Sequence, residues 1–129
     1  MNLATFIAQA YAFSLVVYGL SHLFHPTRWA ALFLGLRDRP EGGLLIGLLT
    51  LPLGLLMVAG HNIWVLDFPV LITVAGWLTL IKGTIYVLAP QTFLRASPVS
   101  HEVFVRGFRK VGVVMTVLGV VLLVDAVVG

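Results

Sequence analysis

Charge-free apolar runs of membrane-spanning length, separated by short polar connections, set the pattern of this chain. Residues 3–24 (LATFIAQAYAFSLVVYGLSHLF) hold 22 positions without Asp, Glu, Lys or Arg. At about 1.5 Å per helical residue they cross a hydrocarbon core of about 30 Å. Pro26 stops that helix. In the segment that follows, HPTRWAALFLGLRDRPEGG, Trp29, Leu32, Phe33 and Leu36 recur at helical spacing against Arg28, Arg37, Asp38 and Arg39. This predicts a short amphipathic helix lying in the membrane interface.

The second span, 43–60, carries Pro52 near its middle, which predicts a kink because proline removes one backbone bond and crowds the preceding turn. The turn GHNIW is short, so the second and third spans are antiparallel neighbours. The third covers 63–89, with Asp67 and Pro69 in an interfacial first turn and the apolar stretch starting near Phe68. The fourth, 107–128, is rich in valine and glycine and has Asp125 in its last turn. The predicted fold is all-α. It is a polytopic membrane protein, a four-helix transmembrane bundle of two tandem, parallel-oriented helical hairpins, with interfacial segments after spans one and three.

Composition supports this class. The 129-residue chain is 60% hydrophobic and 10% charged, with mean hydropathy +1.06, outside the range of soluble domains. It reads as a single transmembrane domain, 1–129, in a lipid bilayer. The first span lacks a basic leader and a small-residue cleavage site, so it is expected to remain in the mature protein. No cysteine is present, which removes disulfides, thiolate metal sites and thiol redox chemistry.

Charge adds orientation. Arg28, Arg37, Arg39, Arg95, Arg106, Arg109 and Lys110 crowd two connections on one side, with Lys82 two turns before the second of them. Lysine and arginine in short loops set topology, so those connections are expected in the cytoplasm and both termini outside it, across the inner membrane. Because the basic residues flank spans, the pI of about 9.8 implies anchoring and not nucleic-acid binding.

Glycine and proline recur at one spacing. Gly19, Pro26 and Trp29 match Gly83, Pro90 and Phe93 at an offset of 64, and Gly47 and Gly54 match Gly112 and Gly119 at 65. The match extends to Ala12 with Gly76 and Phe13 with Trp77. This predicts duplication of a two-span unit, 1–62 and 63–129, with a pseudo-twofold along the membrane normal. Each half resembles the small two-span bacterial inner-membrane proteins of the DUF2065 type, whose first span ends in the same glycine, proline and tryptophan pattern. Phe93 departs from it at the last position. The resemblance covers roughly 40 residues of each half and implies architecture alone.

Small residues imply the helix contacts. Gly47 with Gly54, and Gly112 with Gly119, recur every seven residues on one helix face, and Gly43 with Gly47 forms a small-xxx-small pair. Gly19, Gly76 and Gly83 are further candidates for packing. The same faces fit either the bundle's own seam or a helix of another protein.

Candidate chemistry is sparse. Tyr18 and His22 lie one turn apart near the cytoplasmic end of the first span, and the repeat matches His22 with Tyr86 and Tyr18 with Lys82, a cation inside the third span. An imidazole, phenols and an ammonium there suit a quinone, haem or lipid headgroup, or simply sit at the interface. His61, Asn62, Asp67 and Asp125 gather at the other side but match no metal-ligand spacing, so no metal and no cofactor is expected. His22 and His25 share one helix end, which does not fit two facing haem ligands, although His22 with His101 remains open. The sequence holds no nucleophile with a base and no phosphate loop, so no catalytic residue is expected.

Three functional classes fit. One is a non-catalytic accessory or assembly subunit of a larger membrane complex, with a membrane-protein partner or self-association. Another is a small oligomeric transporter or channel, drawing on Thr50, Pro52, Thr73, Thr79 and Lys82. The third binds quinone, haem or lipid at the cytoplasmic interface through Tyr18, His22, Lys82 and Tyr86.

Overall fold

The computed structural model describes residues 2–91 and 100–128. The described residues form helices α1 (Leu3–Phe24), α2 (Pro26–Asp38), α3 (Gly42–Gly60), α4 (Pro69–Leu88) and α5 (His101–Val128), without strands. Four of them, α1, α3, α4 and α5, are long and apolar enough to cross a membrane. The expected interfacial segment after the third span, with Phe93 and Arg95, lies mostly outside the described residues.

Local chemistry explains the breaks. Asn2 caps α1, its side-chain oxygen accepting the Thr5 N–H at 2.8 Å. His25 ends α1 because the residue before a proline avoids helical dihedrals, and Pro26 opens α2 at a position whose N–H has no intrahelical partner. Pro69 opens α4 in the same way. The third span therefore starts at Pro69 and not at 63, because residues 61–65 are nonhelical. Glu102 lies in the first turn of α5, which begins six residues before the expected 107. α3 continues as one helix through Pro52.

Packing departs from chain order. α1 lies along α5 and α3 along α4, whereas the spans of each half, α1 with α3 and α4 with α5, barely touch. The tandem hairpins are thus hairpins in connectivity that exchange partners in space, because α2 intervenes between α1 and α3 while a short turn joins α3 to α4. The buried core of Ile7, Ala8, Ala12, Leu15, Met57, Ile72 and Leu122 joins the two helix pairs at the end where α1 and α4 begin.

Glycine closes both pairs. A Cβ on Gly112 would stand 2.9 Å from His22 Cβ and Leu23 N, and one on Gly47 would stand 2.8 Å from Val87 N and 3.0 Å from the Tyr86 carbonyl carbon. On Gly119 it would meet Leu15 and Val16, and on Gly54 it would meet Thr79 and Leu80. Gly19 abuts Thr116, and Gly83 abuts Leu51. Gly76 faces Met57, and Gly43 lies against Pro90 and Gln91. Removing the side chain brings the two backbones together, which is how helices gain dispersion contacts where water exclusion gives no driving force.

At the opposite end Gln91 clasps two helices. Its amide nitrogen donates to the carbonyls of Leu36 at 3.3 Å, Arg37 at 3.1 Å and Arg39, satisfying the C-terminal end of α2. Its oxygen accepts the Gly43 N–H at 2.6 Å, in the first turn of α3. Gln91→Glu keeps the shape but loses the donor and sets a negative charge at a helix C-terminus. We expect it to cost about 1–3 kcal/mol, read as a lower melting temperature in detergent, with Gln91→Ala at least as damaging. An unchanged melt in both variants would remove the clasp from the account of how α2 is held.

Candidate functional site

The α1–α2–α5 junction is an aromatic cluster built around His22. The His22 ring is 7% exposed and stacks on Trp29 at 4.3 Å and 19°, with Phe108 at 5.2 Å on another side. Nδ1 donates to the Tyr18 carbonyl at 2.5 Å, which fixes the tautomer because a carbonyl only accepts. Trp29 is itself held by donating its indole N–H to Ser21 Oγ at 2.8 Å. Phe33 and Phe104 complete the cluster against Phe108. Tyr18 meets the edge of Trp29 but is 52% exposed.

The other two members of the expected site lie elsewhere. Tyr86 is on the α3–α4 pair, where its backbone backs onto Gly47. Lys82 is exposed on α4. Among the described residues no hydrogen bond, ion pair or ring contact joins Tyr86 or Lys82 to Tyr18 or His22. The structure brings together Tyr18, His22 and Trp29, and the part played by Trp29 was not visible as chemistry in the sequence. Its signal was there in the spacing: Trp29 follows His22 by seven residues across a proline break.

The end where α1 and α4 begin holds a second constellation. A cavity of about 550 Å³ is lined by Asn2, Thr5, Gln9, His61, Asp67 and Asp125, among apolar neighbours. His61 is 2% exposed and Thr73 is fully buried. Thr73 Oγ1 lies 2.9 Å from His61 Nδ1, accepts the Ile63 N–H at 2.9 Å, and lies 3.3 Å from the His61 carbonyl. All of these groups are satisfied if the hydroxyl proton goes to the carbonyl and Nδ1–H donates to the hydroxyl. Nε2 then carries a lone pair. Burial holds the His61 imidazole below its ordinary pKa range, so the ring is neutral. Gln9 donates to the Ala126 carbonyl at 3.3 Å, tying α1 to α5.

Asp67 accepts the Phe68 N–H at 2.8 Å at the entry to α4. Among the described residues no group of three or more His, Cys, Asp or Glu could hold a metal ion. The Thr73 bond to His61 was missed because the sequence offers Thr73 only as one of several span hydroxyls. A threonine one turn into a span that follows a histidine-bearing turn is the pattern that points to it.

With four membrane-length apolar helices in one helical bundle, the chain is a multi-pass integral membrane protein. No family profile, curated protein or solved structure matches it.

Proposed function

We propose that this protein is a non-catalytic subunit of the bacterial inner membrane that acts by presenting helix faces to another membrane protein. The observation that carries this reading is where the polar groups of the spans go. Ser14, Thr50, Thr79, Thr84 and Thr116 each donate to the carbonyl one turn earlier in their own helix. His22 does likewise, and Thr73 and Gln9 bind the neighbouring backbone. Hydroxyl protons spent on their own helix are not offered as donors to a substrate crossing the membrane.

The outer surface supports the same reading. Large apolar side chains, among them Leu49, Leu78, Val114, Val117 and Val124, stay exposed along α3, α4 and α5, where lipid or a partner helix covers them. Purification from the native membrane in a mild detergent should yield a partner at fixed stoichiometry whose abundance falls when this chain is deleted. A homo-oligomer that alone moves a solute into liposomes would replace this reading with transport.

We also propose that the two halves arose by duplication and that both termini lie outside the cytoplasm. Contacts at Gly112 and Gly47 fall on residues 64 apart, His22 and Leu23 against Tyr86 and Val87, and the Gly119 and Gly54 contacts repeat the offset. The Gly19 and Gly83 contacts fall on Thr116 and Leu51, which differ by 65. This register supports descent of both halves from one two-span unit with a pseudo-twofold along the membrane normal. With the basic ends of α2 and α5 in the cytoplasm, reporters fused at either terminus should be active only outside it. Cytoplasmic activity from both fusions would invert the topology.

A further inference from the structure

We infer that the end of the bundle where α1 and α4 begin binds a single-chain membrane amphiphile whose head is a protonated amine. The head sits among His61, Asp67 and Asp125, and the chain lies in an adjoining valine groove. The inference is independent of the subunit reading.

The polar half is built for a cation. Asp67 and Asp125 line one cavity, and no lysine or arginine occurs in residues 40–81 or 111–129, nor in the first 27. Neither carboxylate is in an ion pair among the described residues. His61 adds a neutral acceptor in the tautomer that satisfies every group around Thr73: Nδ1–H donates to the hydroxyl, and Nε2, with no hydrogen-bond partner among the described residues, keeps its lone pair while the ring lines the cavity. An ammonium has N–H donors and no acceptor, so a cavity lined by carboxylates and an imidazole lone pair suits it without all three meeting at one point. A metal ion does not match, given the missing three-ligand group among the described residues.

The apolar half determines what carries the amine. A second cavity of about 500 Å³ is lined by Phe68, Val120, Val121, Val124 and Val128, and it shares Asp125 and Val128 with the polar one. A ligand spanning both has a charged end at Asp125 and a hydrocarbon end along α5. A phospholipid amine carries a phosphate a few bonds away, which the two carboxylates repel, so the ligand is a phosphate-free amphiphile.

The test is a thermal melt of the full chain in a neutral maltoside detergent with added hexadecylamine, hexadecanol or palmitate. The amine should raise the melting temperature saturably, and the alcohol and the acid should not. Asp125→Asn and Asp67→Asn should each weaken the apparent affinity at least tenfold while leaving the unliganded melt in place. Val124→Trp should do the same by filling the groove without changing charge. Equal stabilisation by hexadecanol, or an undiminished amine response in the double carboxamide variant, would overturn the inference. Stabilisation by phosphatidylethanolamine and not by hexadecylamine would overturn the phosphate-free assignment. The comparison among ligands needs no variant, so a variant that fails to fold does not shield the proposal.

Discussion

Gly54→Leu should separate α3 from α4 and lower the melting temperature in detergent by roughly 10 °C, equivalent to about 3 kcal/mol. The reason is what the new side chain would meet. A Cβ at Gly54 would fall on the backbone of Leu80 and 2.9 Å from the Thr79 carbonyl carbon, and main chain cannot rotate away as a side chain does. The helices must move apart, and each contact along the seam weakens as they do. Gly35 and Gly107 are the controls, since a Cβ there meets nothing within 4 Å. Alanine at either position should leave the melt unchanged or raise it by the helix-propensity gain of about 0.5–1 kcal/mol. If Gly54→Leu melts like these controls, α3 and α4 do not meet along this face.

Thr73→Val should be the second severe substitution. The change conserves volume and removes the hydroxyl, leaving the Ile63 N–H and His61 Nδ1 without the partner they share. Each orphaned group costs about 1–3 kcal/mol, so the expected loss for the two is about 2–6 kcal/mol. Thr73→Ser keeps the hydroxyl and should recover most of it. The same site sets a pH dependence. Burial lowers the His61 pKa in the folded protein, so the unfolded chain takes up the proton first as pH falls. The stability from the neutral ring is therefore fully present above about pH 6.5 and declines as pH drops below it. His61→Gln should flatten that decline; a slope unchanged by the substitution would assign it to other groups.

Much of the architecture was legible because bilayer solvent writes it in composition. The apolar runs, the proline break at Pro26 and the amphipathic pattern of α2 each follow from one-dimensional rules. Partner choice was not legible. Gly47, Gly54, Gly112 and Gly119 mark a face that can be approached closely, but a small residue does not say which helix approaches it. The expected site divided for a similar reason. Tyr18 and His22 are one turn apart on α1, so helical geometry alone unites them, whereas Lys82 and Tyr86 depended on an arrangement of helix pairs that periodicity does not encode. Thr73 was read as a polar group available to a solute, and its burial against His61 emerged only with the register of α3 and α4.

The pairing of α1 with α5 also governs how the chain is made. At about 5–20 residues per second, the 77 positions from Phe24 to His101 take roughly 4–15 s to synthesise. During that interval the first helix resides in the bilayer with Gly19 unmatched, while α3 and α4 emerge in succession and can zip together at once. A ribosome stalled before the last helix would release a half-assembled protein with an orphaned first span, which gives membrane quality-control proteases a window to remove it.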